Sequence, residues 1–231
     1  MVKTLYLIRH GETEGADSRR YKGSIDVPMS EKGAAQIRKA AEFVGSRVKG
    51  QVDLDNSSKL TAVYCSPLSR ALKSAEIIAE DCGLKPVVVD DLRERHFGIW
   101  EGMSFDEIRG AYPDEFKAWA VNPLKYSPVG GESTLGVRDR VVAALNRILD
   151  DNSTVRVQGF RDSSEETDKS LESPAPRTPD SVHIAIVAHG GVNRIILCHV
   201  TGIPLENIFR VEQDFGCINI IEFWDEYPVV K

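Results

Sequence analysis

No uninterrupted apolar stretch in this chain reaches the roughly 18 to 20 residues of a membrane-spanning helix, and no membrane partner is expected. A signal-peptide pattern is also missing. Met1 leads straight into a strand-like run, and the expected location is the cytoplasm. The four cysteines, Cys65, Cys82, Cys198 and Cys217, have no C-x-x-C spacing and stand among apolar neighbours. That pattern favours buried free thiols over disulfides or zinc ligands. Nor is there an excess of basic residues. With a net charge of −6, the chain lacks the basic face that nucleic-acid binding needs, so no nucleic-acid partner is expected and any anion site must be local.

What is present is an ordinary globular mix over 231 residues, enough for a substantial core and simplest as a single domain, 1–231. Lys3 to Ile8 is a short apolar run ending at Arg9-His10-Gly11, which reads as a buried strand opening into a loop. Ser30 is the expected N-cap of a helix whose apolar positions are Ala34, Ile37, Ala41 and Val44. The alternation returns with a strand at Leu60 to Tyr64, a helix at Leu68 to Ala79 and a strand at Pro86 to Val89. It returns again with a strand at Val182 to Ala188, a tight turn at His189-Gly190-Gly191, a helix at Val192 to His199 and a last strand at Ile218 to Trp224. This order predicts an α/β fold, a three-layer sandwich with a mostly parallel sheet flanked by helices.

Two segments break the rhythm. Residues 98–131 hold Trp100, Phe105, Phe116, Trp119 and Tyr126 after a strand end, and are expected to fold as a cap over the mouth of a site. The polar segment 152–180 is rich in Ser, Glu and Pro and, at about 30 residues, exceeds a normal connection. It reads as an insertion that enters a strand at its N-terminal end, away from the carboxyl ends where open α/β sheets hold ligands. It is either a surface appendage or a contact through which the chain forms a homodimer.

Three strand-to-helix turns carry cationic or nucleophilic side chains: Arg9-His10-Gly11-Glu12, Ser66-Pro67-Leu68-Ser69-Arg70 and His189-Gly190-Gly191. Adjacent parallel strands would gather them at one edge, where helix N-termini and free backbone N–H groups favour an anion. Arg9 and Arg70 could grip a phosphate bidentately. A neutral His10 could attack phosphorus, and His189, protonated beside the phosphate, could donate to an equatorial oxygen. Glu94, after the third strand, is the carboxyl group best placed to protonate the leaving oxygen, and bound phosphate beside it would favour its protonated form. Each residue also has an ordinary role. R-H-G can cap a turn, Arg70 can pair with a carboxylate at the surface, Glu94 can be solvated, and His189, His183, His96 and His199 can hydrogen-bond within a core. The joint placement on four strand ends favours the chemical reading.

These residues resemble the histidine phosphatase superfamily, which includes the cofactor-dependent phosphoglycerate mutases. Leu7-Ile8-Arg9-His10-Gly11-Glu12-Thr13 is similar to its signature, and Cys65-Ser66-Pro67-Leu68-Ser69-Arg70-Ala71 to its arginine block. Leu92-Arg93-Glu94 with Phe97-Gly98-Ile99-Trp100-Glu101-Gly102 resembles the acid-bearing block, and Val187-Ala188-His189-Gly190-Gly191 the second-histidine block. The resemblance implies a phosphoglycerate mutase-like fold, His10 as the phosphorylated residue, and Arg9, Arg70 and His189 in the phosphate pocket. It further implies Glu94 as proton donor and Lys22-Gly23 in the substrate loop, with Gly190 on the substrate-binding side.

Within the family, Gly130-Gly131-Glu132-Ser133 and Gly202-Ile203-Pro204-Leu205-Glu206 resemble the phosphatases, above all α-ribazole and broad-specificity phosphatases, whereas Glu94-Arg95-His96-Phe97-Gly98 resembles the mutases. Phe105 stands where the mutases carry a substrate-holding lysine, and their adjacent arginine pair is absent from 111–125, which favours hydrolysis. Ala16, followed by Asp17, takes the place of an asparagine that usually contacts phosphate; Ser18, Ser24 or Lys22 could compensate. Arg19, Arg20, Lys22, Arg93 and Arg95 could attract the anion or form a solvated charged surface. The expected activity is hydrolysis of a small phosphomonoester, α-ribazole 5′-phosphate among the candidates, with no metal and no cofactor. The rivals are a phosphoglycerate mutase and a non-catalytic phosphate-binding protein.

Overall fold

The apolar N-terminal run forms strand β1 (Val2–Arg9), and its side chains divide between two cores by the two-residue period of a strand. Leu5 and Leu7 enter one cluster and Tyr6 and Ile8 the other, each almost wholly removed from water. A computed structural model describes residues 2–16, 20–50, 60–152, 181–225 and 227–231. Asp17, Ser18, Arg19 and the insertion from 153 to 180 lie outside the described residues.

After β1 come α1 (Glu31–Gly50), β2 (Leu60–Cys65), α2 (Ser69–Glu80) and the short strand β3 (Val87–Val88). Next are α3 (Phe105–Ala111), α4 (Pro113–Val121), α5 (Thr134–Asp151), β4 (Ser181–Ala188), α6 (Gly190–Thr201), β5 (Ile218–Trp224) and β6 (Tyr227–Val230). The sheet order is β3-β2-β4-β1-β5-β6. The first four strands run parallel, and β5 runs antiparallel to both β1 and β6. The mostly parallel three-layer arrangement is therefore present, with an antiparallel edge; β6 carried no recognised sequence signal.

Helices cover both faces of the sheet, which is why β1 and β4 read as near-continuous apolar runs. On one face Leu5, Leu7, Ile184 and Ile186 meet Val141 and Leu145 of α5 and Ile196 of α6. On the other, Tyr6, Ile8, Ala185 and Val187 meet Ile37 and Val44 of α1 and Ile78 of α2. A one-residue slip of β1 would exchange these sets, and each large apolar side chain taken out of its core forfeits about 1.5–3 kcal/mol. That penalty fixes the register in which Arg9 stands opposite Ala188, and so sets the level of the two loops that follow.

Ser30 caps α1 as expected, accepting from the Gly33 N–H at 3.1 Å. Three expectations are corrected. Gly190 and Gly191 are the first residues of α6 with His189 as its N-cap, so they form a helix start and not a tight turn. The third strand shrinks to Val87–Val88, both half exposed, because only Tyr64 and Cys65 of β2 pair with it. Of the cysteines, all free, Cys65 and Cys198 are buried but Cys82 and Cys217 are only partly covered. His183 is buried beside the Tyr6 ring, whereas His199 is exposed on the last turn of α6 and His96 accepts a backbone N–H from Gly98. No helix among the described residues is long and apolar enough to cross a membrane.

Candidate active site

Because β2, β4 and β1 are neighbours, their carboxyl ends lie level, with Cys65 opposite Val187 and Arg9 opposite Ala188. The chain leaves these ends through Ser66, His189 and His10, tied back by His10 N–H to Ala188 O at 3.0 Å and Ser66 N–H to Val187 O at 3.2 Å. The rings of His10 and His189 meet edge to face with centroids 5.1 Å apart.

His10 is buried and its Nδ1 lies 2.7 Å from the Gly11 carbonyl oxygen. A carbonyl can only accept, so Nδ1 carries the proton and Nε2 keeps its lone pair. Burial, reinforced by the charges of Arg70, Arg9 and Lys22, brings its pKa down to about 3. His189 is fully buried with Nε2 2.8 Å from Ser66 Oγ. Burial, His10 and the two arginines push its pKa well below the ordinary value. Burial thus favours the neutral ring of His189, and the protonated form expected beside phosphate requires the charge of that anion to offset it.

Arg70, 3% exposed, spans the first turn of α2 and the loop before α1, donating to Ile25 O at 2.8 Å and Gly23 O at 2.7 Å. Arg9 donates through Nη1 to Gln213 O and lies 4.0 Å above the Phe215 ring, while its buried Nε has no acceptor. Lys22 donates to Thr13 Oγ1 at 2.9 Å and to Glu14 O. Glu94 bridges two elements: its Oε2 accepts from Gly191 N–H at the start of α6 at 3.1 Å, and its Oε1 from Arg95 N–H at 2.9 Å.

One cavity of about 690 Å³ takes in Arg9, His10, Lys22, Gly23, Arg70, Glu94 and Gly190, together with Ala16. Two expected residues do not line it. His189 stands behind His10, and Ser24 is turned away, giving both its N–H and its hydroxyl to Glu101 Oε1 at 2.8 Å. The same oxygen accepts Phe97 N–H at 3.1 Å, so Glu101 binds the substrate loop to the aromatic segment and a hydroxyl so held is not free for phosphate. Arg20 and Arg95 line the cavity but are engaged, Arg20 with Glu107 and Gly102 O, and Arg95 with Glu132 O, Thr134 Oγ1 and Tyr126 O. Arg93 is exposed and does not line it.

Sequence reasoning missed residues 213–217. Since β5 runs antiparallel to β1, the loop before it arrives beside the end of β1. There Gly216 N–H donates to the carbonyls of Arg9 and His10 at 3.2 Å, and Phe215 packs on His10 with centroids 5.6 Å apart. The only local cue was an aromatic-glycine pair just before a strand. Arg140 was also missed. From α5 it reaches the carbonyls of Asp91 and Arg93 at 2.7 Å and Glu94 at 3.3 Å, with both oxygens of Glu132 at 2.9 Å, and so holds the loop that carries Glu94. Among the described residues, no group of three or more His, Cys, Asp or Glu is placed to hold a metal ion.

A neutral imidazole with an available lone pair, two guanidiniums, a helix N-terminus and a carboxyl group around one cavity define an α/β protein built to handle a phosphoryl group. The chain belongs to the histidine phosphatase superfamily, branch 1, whose family model matches residues 5–158 and 159–231. It is 36% identical over 155 residues to phosphoglycerate mutase-like protein 4 of Arabidopsis thaliana, a match spanning 66% of this chain and 63% of that protein. Over 226 residues, 97% of this chain and 92% of the relative, it is 31% identical to a Hydrogenobacter thermophilus protein provisionally named phosphoserine phosphatase 2. Its fold is similar to that of the α-ribazole phosphatase from Shigella flexneri, with a TM-score of 0.74 at 22% identity over 99% of this chain and 94% of that one.

Proposed function

We propose that this histidine phosphatase hydrolyses small phosphomonoesters, α-ribazole 5′-phosphate among the candidates, through a phosphohistidine on His10 and without a metal ion. The reading rests on one observation: His10 is buried, neutral and held by Gly11 O in the tautomer that leaves Nε2 as a nucleophile. In the first step the Nε2 lone pair forms a bond to phosphorus, the ester P–O bond breaks, and the leaving oxygen takes the proton of the Glu94 carboxyl group. In the second, Glu94 takes a proton from water, the resulting hydroxide attacks phosphorus, and the N–P bond breaks to return neutral His10 and inorganic phosphate. Arg9, Arg70, Lys22 and the N-terminus of α6 at Gly190 balance the phosphoryl charge. His189, behind His10, acts on the phosphate or on the His10 ring.

The mutase reading draws on the Arabidopsis relative's name. Against it, Phe105 lines the cavity and packs on Phe116 with centroids 5.0 Å apart, an apolar ring where the mutases hold a carboxylate with lysine. The test is phosphate release from p-nitrophenyl phosphate, α-ribazole 5′-phosphate and 3-phosphoglycerate in chelator, with trapping of an acid-labile, alkali-stable phosphoryl label. Turnover and label in the wild type, both lost in His10→Ala, are expected. Turnover by His10→Ala or loss of activity to chelator overturns the proposal, and isomerised 3-phosphoglycerate with added bisphosphoglycerate and no release turns it into the mutase. Silence in every assay leaves a phosphate-binding protein.

A further inference from the structure

Beyond the phosphate end, the cavity changes character. Its lining there is Phe105 of α3, Phe116 and Trp119 of α4, and Trp100, together with Leu205 and Phe209. The four rings touch: Phe105 and Phe116 at 5.0 Å, Phe116 and Trp119 at 5.5 Å, Trp100 and Trp119 at 6.5 Å. Yet α4 buries none of its residues fully, and Phe105 is 43% exposed and Phe209 77%. These rings lie on short helices outside both sheet cores, so covering the sheet does not account for them. Trp100 is buried, but the partly exposed Phe105, Phe116 and Trp119 leave an apolar surface in the wall of a cavity that also holds His10 and Arg9, and such a surface calls for an apolar occupant.

Charge on this side points the same way. Arg20 is closed in a two-bonded pair with Glu107, and Arg95 gives donors from all three guanidinium nitrogens to Glu132 O, Thr134 Oγ1 and Tyr126 O. Arg194 donates through Nε to Val211 O, stands with Arg9 over Gly190 at the phosphate end and lies 6.0 Å from the centre of the Phe209 ring, so the cavity's remaining cation is on that side and not over the α3–α4 rings. Glu206, exposed, adds a carboxylate to the lining. Among the described residues, no cation stands over the ring of Phe105, Phe116, Trp119 or Trp100. A carboxylate seated against those rings would give up its hydration without a replacement.

We propose that the ester's alcohol portion is uncharged and aromatic, seated against Phe105, Phe116 and Trp119, and is preferred to the short carboxylate-bearing alcohols of phosphoserine and 3-phosphoglycerate. The proposal rests on the phosphatase reading for the phosphate end. The volume agrees: about 690 Å³ falls in the range of roughly 300–1,000 Å³ that encloses a drug-sized ligand, far more than phosphoserine fills. Each ring stacked on the wall removes apolar surface from water on both partners, and pockets of this kind discriminate by about tenfold or more for small apolar increments.

The test compares kcat/KM for 1-naphthyl phosphate, phosphoserine and 3-phosphoglycerate with the full chain. The expected result is a preference of about tenfold or more for the naphthyl ester, and a fall in that ratio of similar size in Trp119→Ala and in the milder Phe116→Leu. Titration calorimetry with His10→Ala reads the Kd of 1-naphthyl phosphate and phosphoserine without any turnover, and the same order is expected there. Equal or better handling of the carboxylate esters, or an unchanged ratio in both variants, overturns the proposal. A naphthyl preference in binding with no His10 phosphorylation in the wild type overturns the phosphatase mechanism alone.

Discussion

Gly191→Ala should damage catalysis while leaving the fold intact, because the three atoms nearest the added methyl group all belong to the Glu94 carboxylate. An ideal Cβ at Gly191 would stand 2.5 Å from Glu94 Oε1 and 3.3 Å from both Cδ and Oε2. Ordinary contact begins near 3.4 Å, so the oxygen must retreat by about 0.9 Å. Displacements of about 1 Å cost on the order of 10²-fold in rate when they move a reacting group, so a loss of about 10- to 100-fold in kcat is expected. Stability should hardly change. Alanine in a helix is favoured over glycine by roughly 0.5–1 kcal/mol, close to the roughly 1 kcal/mol of the Gly191 N–H to Glu94 bond that the shift weakens.

The assay separates acid catalysis from a general disturbance by the leaving group. Ethyl phosphate releases a basic alkoxide that needs a proton in the transition state, whereas p-nitrophenolate departs without one. The kcat for ethyl phosphate should fall by the full amount and that for p-nitrophenyl phosphate by much less, with an unchanged thermal midpoint. Equal losses on the two esters, or no loss on the alkyl ester, would refute Glu94 as the proton donor.

Acid should destabilise the protein through its buried histidines. His10 titrates near 3 in the folded chain and near 6.5 when unfolded, so between those values the unfolded state binds the extra proton. The stabilisation is complete above pH 6.5 and declines as pH falls towards 3; by pH 5 about 2 kcal/mol is lost from this residue alone, and His189 shifts in the same direction. Urea unfolding at pH 7 and pH 5 should therefore show a smaller decline in His10→Ala than in the wild type, and equal declines would contradict a neutral buried His10. Arg140→Met should lose about 2–3 kcal/mol by leaving the carboxylate of Glu132 and the carbonyls of the Asp91–Glu94 loop without their donor. It should also lose more kcat on ethyl phosphate than on p-nitrophenyl phosphate, a split that an effect on stability alone would not produce.

The central strands and the start of α1 were legible because burial on both faces makes β1 and β4 continuous apolar runs and because Ser30 carries its helix cap in the sequence itself. Register followed from the same pattern, and with it the meeting of Arg9-His10, Ser66 and His189. Features set by contacts across the fold were not legible. Nothing near Ser24 announces that Glu101 will take its hydroxyl, and nothing near Arg140 announces that three carbonyls of the Glu94 loop will converge on it. Gly190-Gly191 looked like a turn because glycine is an ordinary turn residue, but free N–H groups at a helix start serve the same glycines when a carboxylate such as Glu94 must come within 3.1 Å.

The direction of β5 carries the larger lesson. Had β5 continued the parallel rhythm, the loop before it would lie at the opposite end of the sheet, and neither Phe215 nor Gln213 could touch Arg9. Reversing one strand brings that loop to the nucleophile, where Gly216 ties down the carbonyls of Arg9 and His10 and Phe215 packs on both side chains. Strand direction is not written in the two-residue period of Ile218–Trp224, which would suit either orientation. Helix α6 already returns the chain to the amino end of the parallel strands, where a loop of about 2–6 residues would enter a parallel strand; the longer 202–217 connection carries the chain back to the carboxyl end, and β5 must descend from there. The excess length of that connection over an ordinary helix-to-strand loop is the sequence signal for the reversal, and with it for a third wall at the phosphate end of the site.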